Sequence, residues 1–99
     1  MALMNISVIP LGTPTTSLGD YIVKIIKILD EEGATYKLTD MGTIVEGKAH
    51  RLFEIANRLH EFPFSEGVKR VITTIEIDDR RDKKVELGDK VKSVQARLK

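Results

Sequence analysis

The hydrophobic period changes once in the first thirty residues, and that change restricts the chain to a fold of sheet plus helix. In the opening stretch Met4, Ile6 and Val8 alternate with Asn5, Ser7 and Ile9. A period of two is that of a strand with one apolar face. From Leu18 the spacing becomes three and four. Leu18, Ile22, Ile25, Ile26 and Leu29 share one stripe, and Lys24, Lys27, Asp30 and Glu31 lie mostly away from it; this is an amphipathic helix. Pro10 and Gly12 stop the strand. Ser17 is the candidate helix N-cap, with Asp20 three residues on to face the positive helix end. Gly33 follows as a left-handed cap.

The rest of the chain continues the pattern. Residues 35–40 and 43–47 read as a hairpin around Met41-Gly42. Ala49 to Phe62 is a second helix with Leu52, Phe53, Ala56 and Leu59 as its buried stripe, ended or kinked by Pro63. Val68 to Ile77 is rich in β-branched residues and sets Val71, Thr73, Ile75 and Ile77 against Ile72, Thr74 and Glu76. The DDRRD run at 78–82 is a turn, and residues 85–98 suggest a third helix with a stripe of Leu87, Val91, Val94 and Leu98. The order β-α-β-β-α-β is ferredoxin-like. Right-handed crossovers place both long helices on one face of a four-stranded antiparallel sheet. The expectation is an α+β two-layer sandwich with an additional C-terminal helix, forming a single domain over residues 1–99. The second sheet face then has no cover within the first 77 residues. Either the chain self-associates through it or the last helix folds back over it.

Composition excludes several classes. With no cysteine there is no disulfide framework and no thiolate chemistry. A net charge of +1 provides no global field for nucleic acid or a membrane surface. No signal peptide is readable, and no apolar run approaches the roughly 20 residues of a membrane span, so the expectation is a soluble, cytoplasmic protein. His50 and His60 lie about three turns apart on one helix and cannot share a metal. No nucleophile motif and no phosphate-cradling glycine loop is present. The reading is therefore not an enzyme, with no metal and no cofactor. RNA-binding domains of this topology stack bases on aromatics of the first and third strands, and neither strand here has one.

What remains is a candidate pocket around the stretch YKLTDMGTIVEG, residues 36–47. Glu46 closes a short apolar strand. A buried carboxylate needs a partner, either an internal Arg or Lys or a cationic or amine-bearing ligand. Met41 offers a polarizable surface for a flat ring. Thr13 and Thr43 offer hydroxyls. Gly12 and Gly42 permit close backbone approach to a ligand or simply turn the chain.

The segments VIPLGT (8–13), YKLTDMGTIVEG (36–47) and RVITTIEIDDRRD (70–82) occur in one register over essentially the whole chain. Together they resemble the thiamine-binding protein family. The resemblance implies a ferredoxin-like domain that forms dimers or tetramers and binds thiamine or its hydroxymethylpyrimidine portion without catalysis, as carrier, buffer or sensor. The alternative is a structural or regulatory protein-interaction module with no small-molecule ligand. The resemblance would have Glu46 accept from the ligand's amino group or balance its cation, Met41 pack on the pyrimidine, and Thr13 and Thr43 serve its acceptor edge, beside Gly12 and Gly42. In an ideal strand Thr43 and Glu46 point to opposite faces. A bulge re-aims one of them, or only one touches ligand, or the pocket lies at a subunit edge. Arg80 and Arg81 are a possible anion site for a phosphorylated ligand; the competing reading is a turn stabilised by Asp78, Asp79 and Asp82.

Overall fold

A computed structural model describes residues 1–12 and 18–98. The expected Ser17 cap and Thr13 lie outside the described residues. The elements run β1 (Ala2–Leu11), α1 (Leu18–Glu31), β2 (Thr35–Thr39), β3 (Gly42–Gly47), α2 (Ala49–Ser65), β4 (Arg70–Asp79) and α3 (Asp89–Arg97). They form one antiparallel sheet in the order β2-β3-β1-β4, the ferredoxin-like arrangement.

Strand pairing is uneven. β1 pairs with β4 along its whole length, from Ala2 opposite Asp79 to Leu11 opposite Arg70, in unbroken register. Its pairing with β3 runs only from Ala2 opposite Gly47 to Ile6 opposite Thr43. β2 continues from β3, with Tyr36 opposite Val45 and Thr39 opposite Gly42. Ser7 to Leu11 therefore has a neighbouring strand on one side only.

The pleat sends Ala2, Met4, Ile6, Val8 and Val45 to the helix-covered face, where they are buried with Leu29, Leu52, Ile55 and Leu59. α2 packs across β1, β3 and β4. Its buried stripe is Leu52, Ile55, Ala56, Leu59 and Pro63. Phe53, expected in that stripe, is 61 % exposed: it sits about 100° around the helix from Leu52, and Ile55 takes the inward position. In α1 the buried set is Tyr21, Ile25, Ile28 and Leu29, while Leu18, expected in the stripe, is exposed; the buried stripe begins instead at Tyr21, one turn before Ile25. α2 passes through Pro63 to Ser65. The ring is buried, and the Pro63 carbonyl accepts from the Glu66 and Val68 N–H groups, which closes the helix just beyond. β4 extends through Asp78 and Asp79, so the expected turn starts later. α3 starts at Asp89, not 85, because Gly88 precedes it at φ 92.

An ion-pair cluster ties α1 to α2. Glu32 accepts from Arg51 at 2.5 Å and from Arg58 at 2.7 Å, and Arg58 also reaches Glu31 at 2.6 Å. Arg58, then Arg51, holds the Glu32 carboxyl below the usual carboxylate range.

The second sheet face carries Ile44 and Glu46 of β3, the odd residues of β1 and the even residues of β4. Ile9 and Ile72 pair there directly, 40 % and 46 % exposed. The chain after β4 crosses one end of this face: the Leu87 N–H donates to Glu46 Oε2 at 2.6 Å, and Lys90 pairs with Asp78 at 2.9 Å. The apolar stripe of α3, Val91, Val94 and Leu98, stays exposed.

Candidate functional site: a notch beside β1

Where β3 stops, the sheet has a notch. It is a cavity of about 260 Å³ bounded by Ile6 to Ile9 of β1, by the hairpin end from Leu38 to Thr43, and by Leu18, Ile22 and Ile25 of α1, with Leu59 beneath. The hairpin end is fixed locally. The Thr39 hydroxyl donates to the Gly42 carbonyl at 2.7 Å and accepts the Met41 N–H at 3.3 Å, which closes the Asp40-Met41 turn. Gly42 is required by close approach to β1: a Cβ there, at φ +155, would stand 2.6 Å from Asn5 Oδ1 and 3.0 Å from the Ile6 carbonyl.

The notch walls are mostly apolar; Ser7, Thr39, Asp40 and Thr43 are the polar side chains in the lining. Thr43 is 6 % exposed, the sole buried polar residue among those described. Its hydroxyl has no hydrogen-bond partner among the described residues, and it is not sealed off from the notch. Asp40, exposed at the hairpin tip, is among the residues that line the notch. Met41 also projects from the rim and is largely exposed.

The expected site residues divide. Met41, Gly42 and Thr43 come together at the notch. Gly12, at φ 73, ends β1 outside the notch lining, and Thr13 is not described. Glu46 is on the opposite sheet face, engaged by the Leu87 N–H. The strand is regular through both residues, so no bulge re-aims either side chain. The acid at the notch is Asp40, which the sequence reading leaves at the end of the hairpin strand 35–40 with no role in the site. Other members of the lining that sequence reasoning missed, Val8 and Leu38 among them, become visible only once the β1–β3 register is known.

Arg80 and Arg81 are already paired. Arg80 makes a two-pronged contact to Asp82, Nε to Oδ1 at 2.6 Å and a terminal nitrogen to Oδ2 at 3.0 Å, and Arg81 pairs with Asp79 at 2.8 Å. Arg80 also borders a wider cavity of about 710 Å³ under α3, with Leu3, Val85 and Lys90. Among the described residues no group of three or more His, Asp or Glu is placed to hold a metal, and no helix is long and apolar enough to cross a membrane.

The fold and the notch define a small ferredoxin-like domain with a ligand-sized, largely apolar recess at a sheet end. The sequence profile of the family described as thiamine-binding protein matches residues 4–95, and the chain belongs to that family. It is 43% identical over 102 residues to UPF0045 protein YqgV of Bacillus subtilis, covering 99% of this chain and 98% of the relative. It is 38% identical over 99 residues to a UPF0045 protein of Methanothermobacter thermautotrophicus, covering 99% and 100%. Neither name specifies a catalytic activity. Among solved structures, a hypothetical protein from Methanocaldococcus jannaschii superposes with a TM-score of 0.84 at 26% identity, covering 95% of each chain. A Thermotoga maritima protein named as a candidate for thiamine biosynthesis or salvage superposes with a TM-score of 0.78 at 20% identity, covering 94% of this chain and 97% of that one, and so shares the fold.

Proposed function

We propose that this protein binds thiamine or its hydroxymethylpyrimidine portion in the notch, without catalysing a reaction on it, as a cytoplasmic carrier, buffer or sensor. The observation that carries the reading is Thr43, a residue 6 % exposed whose hydroxyl makes no hydrogen bond among the described residues and which lines a largely apolar recess of small-molecule size. The family's name and the name of the Thermotoga maritima neighbour support the choice of ligand. In this reading Thr43 bonds the pyrimidine edge, Met41 packs on the ring face, and Asp40 balances the thiazolium cation. Glu46 serves the fold of the C-terminal segment instead. Self-association to a dimer or tetramer through the uncovered sheet face accompanies binding.

Titration calorimetry with thiamine and with hydroxymethylpyrimidine, on a sample of known column mass, tests the reading. Saturable binding that Thr43→Val weakens and Glu46→Gln leaves alone is the expected result. Absence of heat with both compounds on a folded oligomer would reject it. The interaction-module reading is favoured by one observation, the exposed Ile9–Ile72 pair on an uncovered sheet face. It predicts a stoichiometric protein partner and no small-molecule binding.

A further inference from the structure

The notch is bounded on one side by main chain, not only by side chains, and the direction of that main chain can be fixed. The Ile6 carbonyl lies 3.0 Å from the point where a Cβ on Gly42 would stand, so it points toward β3. In a regular strand the N–H and C=O of residue i point the same way as those of residue i+2. β1 keeps an unbroken register with β4 from Ala2 to Leu11, so the alternation holds throughout. The N–H and C=O of Val8 therefore point to the same side as Ile6, where β3 has already ended and where Val8 lines the notch. Among the described residues neither group gains a partner outside the β ladder. Pro10 supports the assignment independently. A proline in an inner strand would remove a ladder bond. Pro10 is next in the same alternation, so its nitrogen faces the side without a strand and no bond is lost.

We propose that the main-chain N–H and C=O of Val8 are the recognition edge of the notch, reading a ligand that presents an acceptor and a donor side by side. An aminopyrimidine has that edge: a ring nitrogen accepts from the Val8 N–H while the exocyclic amino group donates to the Val8 carbonyl. The flat ring then lies in the plane of the sheet, in the space a β3 residue would have filled, with Thr43 closing the far side. The proposal rests on the notch being the ligand site. An extended peptide is the other occupant such an edge invites, but strand addition needs a row of alternating bonds. Here Pro10 has no donor, and the hairpin tip and α1 close the recess at about 260 Å³.

The test is amide NMR of the nitrogen-labelled protein, with affinities measured for three probes: hydroxymethylpyrimidine with its amino group, the same ring with hydrogen in place of that group, and the ring with a carbonyl in its place. The expected result is a perturbed Val8 amide with the amino compound and an affinity loss of roughly tenfold or more for each analogue. Equal affinity for all three, with the Met41–Thr43 amides perturbed, overturns main-chain recognition and leaves the notch as the ligand site. If none of the probes perturbs the notch amides, both readings fall. Perturbation of Val8 by an extended peptide but by none of the pyrimidines overturns the proposal in favour of strand addition.

Discussion

The Glu46 carboxylate and the Leu87 backbone N–H meet at 2.6 Å across 41 residues of chain. This contact, together with Lys90 to Asp78, holds the segment leading into α3 against the sheet. Removing the acceptor releases the segment and leaves the notch intact. Glu46→Ala is expected to lower hydrogen-exchange protection at Leu87 about tenfold, the weight of one charge-assisted bond, with no change at Thr43. Unchanged protection at Leu87 would show that the segment is held by other contacts.

Asp40, rather than Glu46, is the acid at the notch. Asp40→Asn should weaken thiamine binding by about two- to fivefold, as for an exposed ion pair. It should leave the neutral hydroxymethylpyrimidine unaffected. The difference should shrink as salt is raised. Calorimetry at two ionic strengths checks both points, and an equal loss for the charged and neutral compounds would contradict the role.

Adjacent residues of α2 should differ sharply. Leu52 is fully buried, so Leu52→Ala is expected to cost about 2–5 kcal/mol. Phe53→Ala removes an exposed ring and should stay within about 0.5 kcal/mol of the parent. Urea unfolding of the two variants measures the contrast. Comparable losses would mean that Phe53 is covered in the assembled protein.

Glu32 couples stability to pH in a definite direction. Its carboxyl lies below the ordinary 4.5 in the folded chain because of Arg58 and Arg51. The unfolded chain therefore binds the proton first as acid is added. The stabilisation is complete above the ordinary carboxylate value and is lost as pH falls through the lowered, folded value. Melting curves of the parent and Glu32→Gln should differ most at neutral pH and converge under acid conditions. A gap that widened as pH fell would reverse the assignment.

Gly42→Ala should destabilise the hairpin by a few kcal/mol, since the new methyl meets both the Asn5 side chain and the Ile6 carbonyl. Adding Asn5→Ala should recover only the side-chain part. A double-mutant cycle by chemical denaturation measures the recovery. Full recovery would show that the carbonyl contact costs nothing.

Much of this could be read from periodicity. The alternation at Met4, Ile6 and Val8 placed their side chains on the helix face correctly, and the pleat already put Thr43 and Glu46 on opposite faces. Phe53 is misplaced, and Tyr21 is left out of the α1 stripe, because adjacent apolar residues on a helix compete for one inward position, and packing against the sheet decides between them. Gly88 set the α3 boundary through backbone conformation, which a stripe of Leu87, Val91, Val94 and Leu98 does not reveal. The notch was illegible for a different reason. It arises from a mismatch in length between β1 and β3, and register is a property of two strands together. Neither strand's sequence contains it.

Pro10 has one more consequence, for the protein's behaviour in a crowded solution. A half-paired apolar strand is a template on which another molecule's chain can grow, and proline is among the residues that blunt such templates. On the side of β1 where β3 has ended, Pro10 interrupts the sequence of amide donors that a growing fibril would use. Exchanging the ring for valine would restore that sequence and leave the half-paired side of β1 open to strands from other copies of the chain.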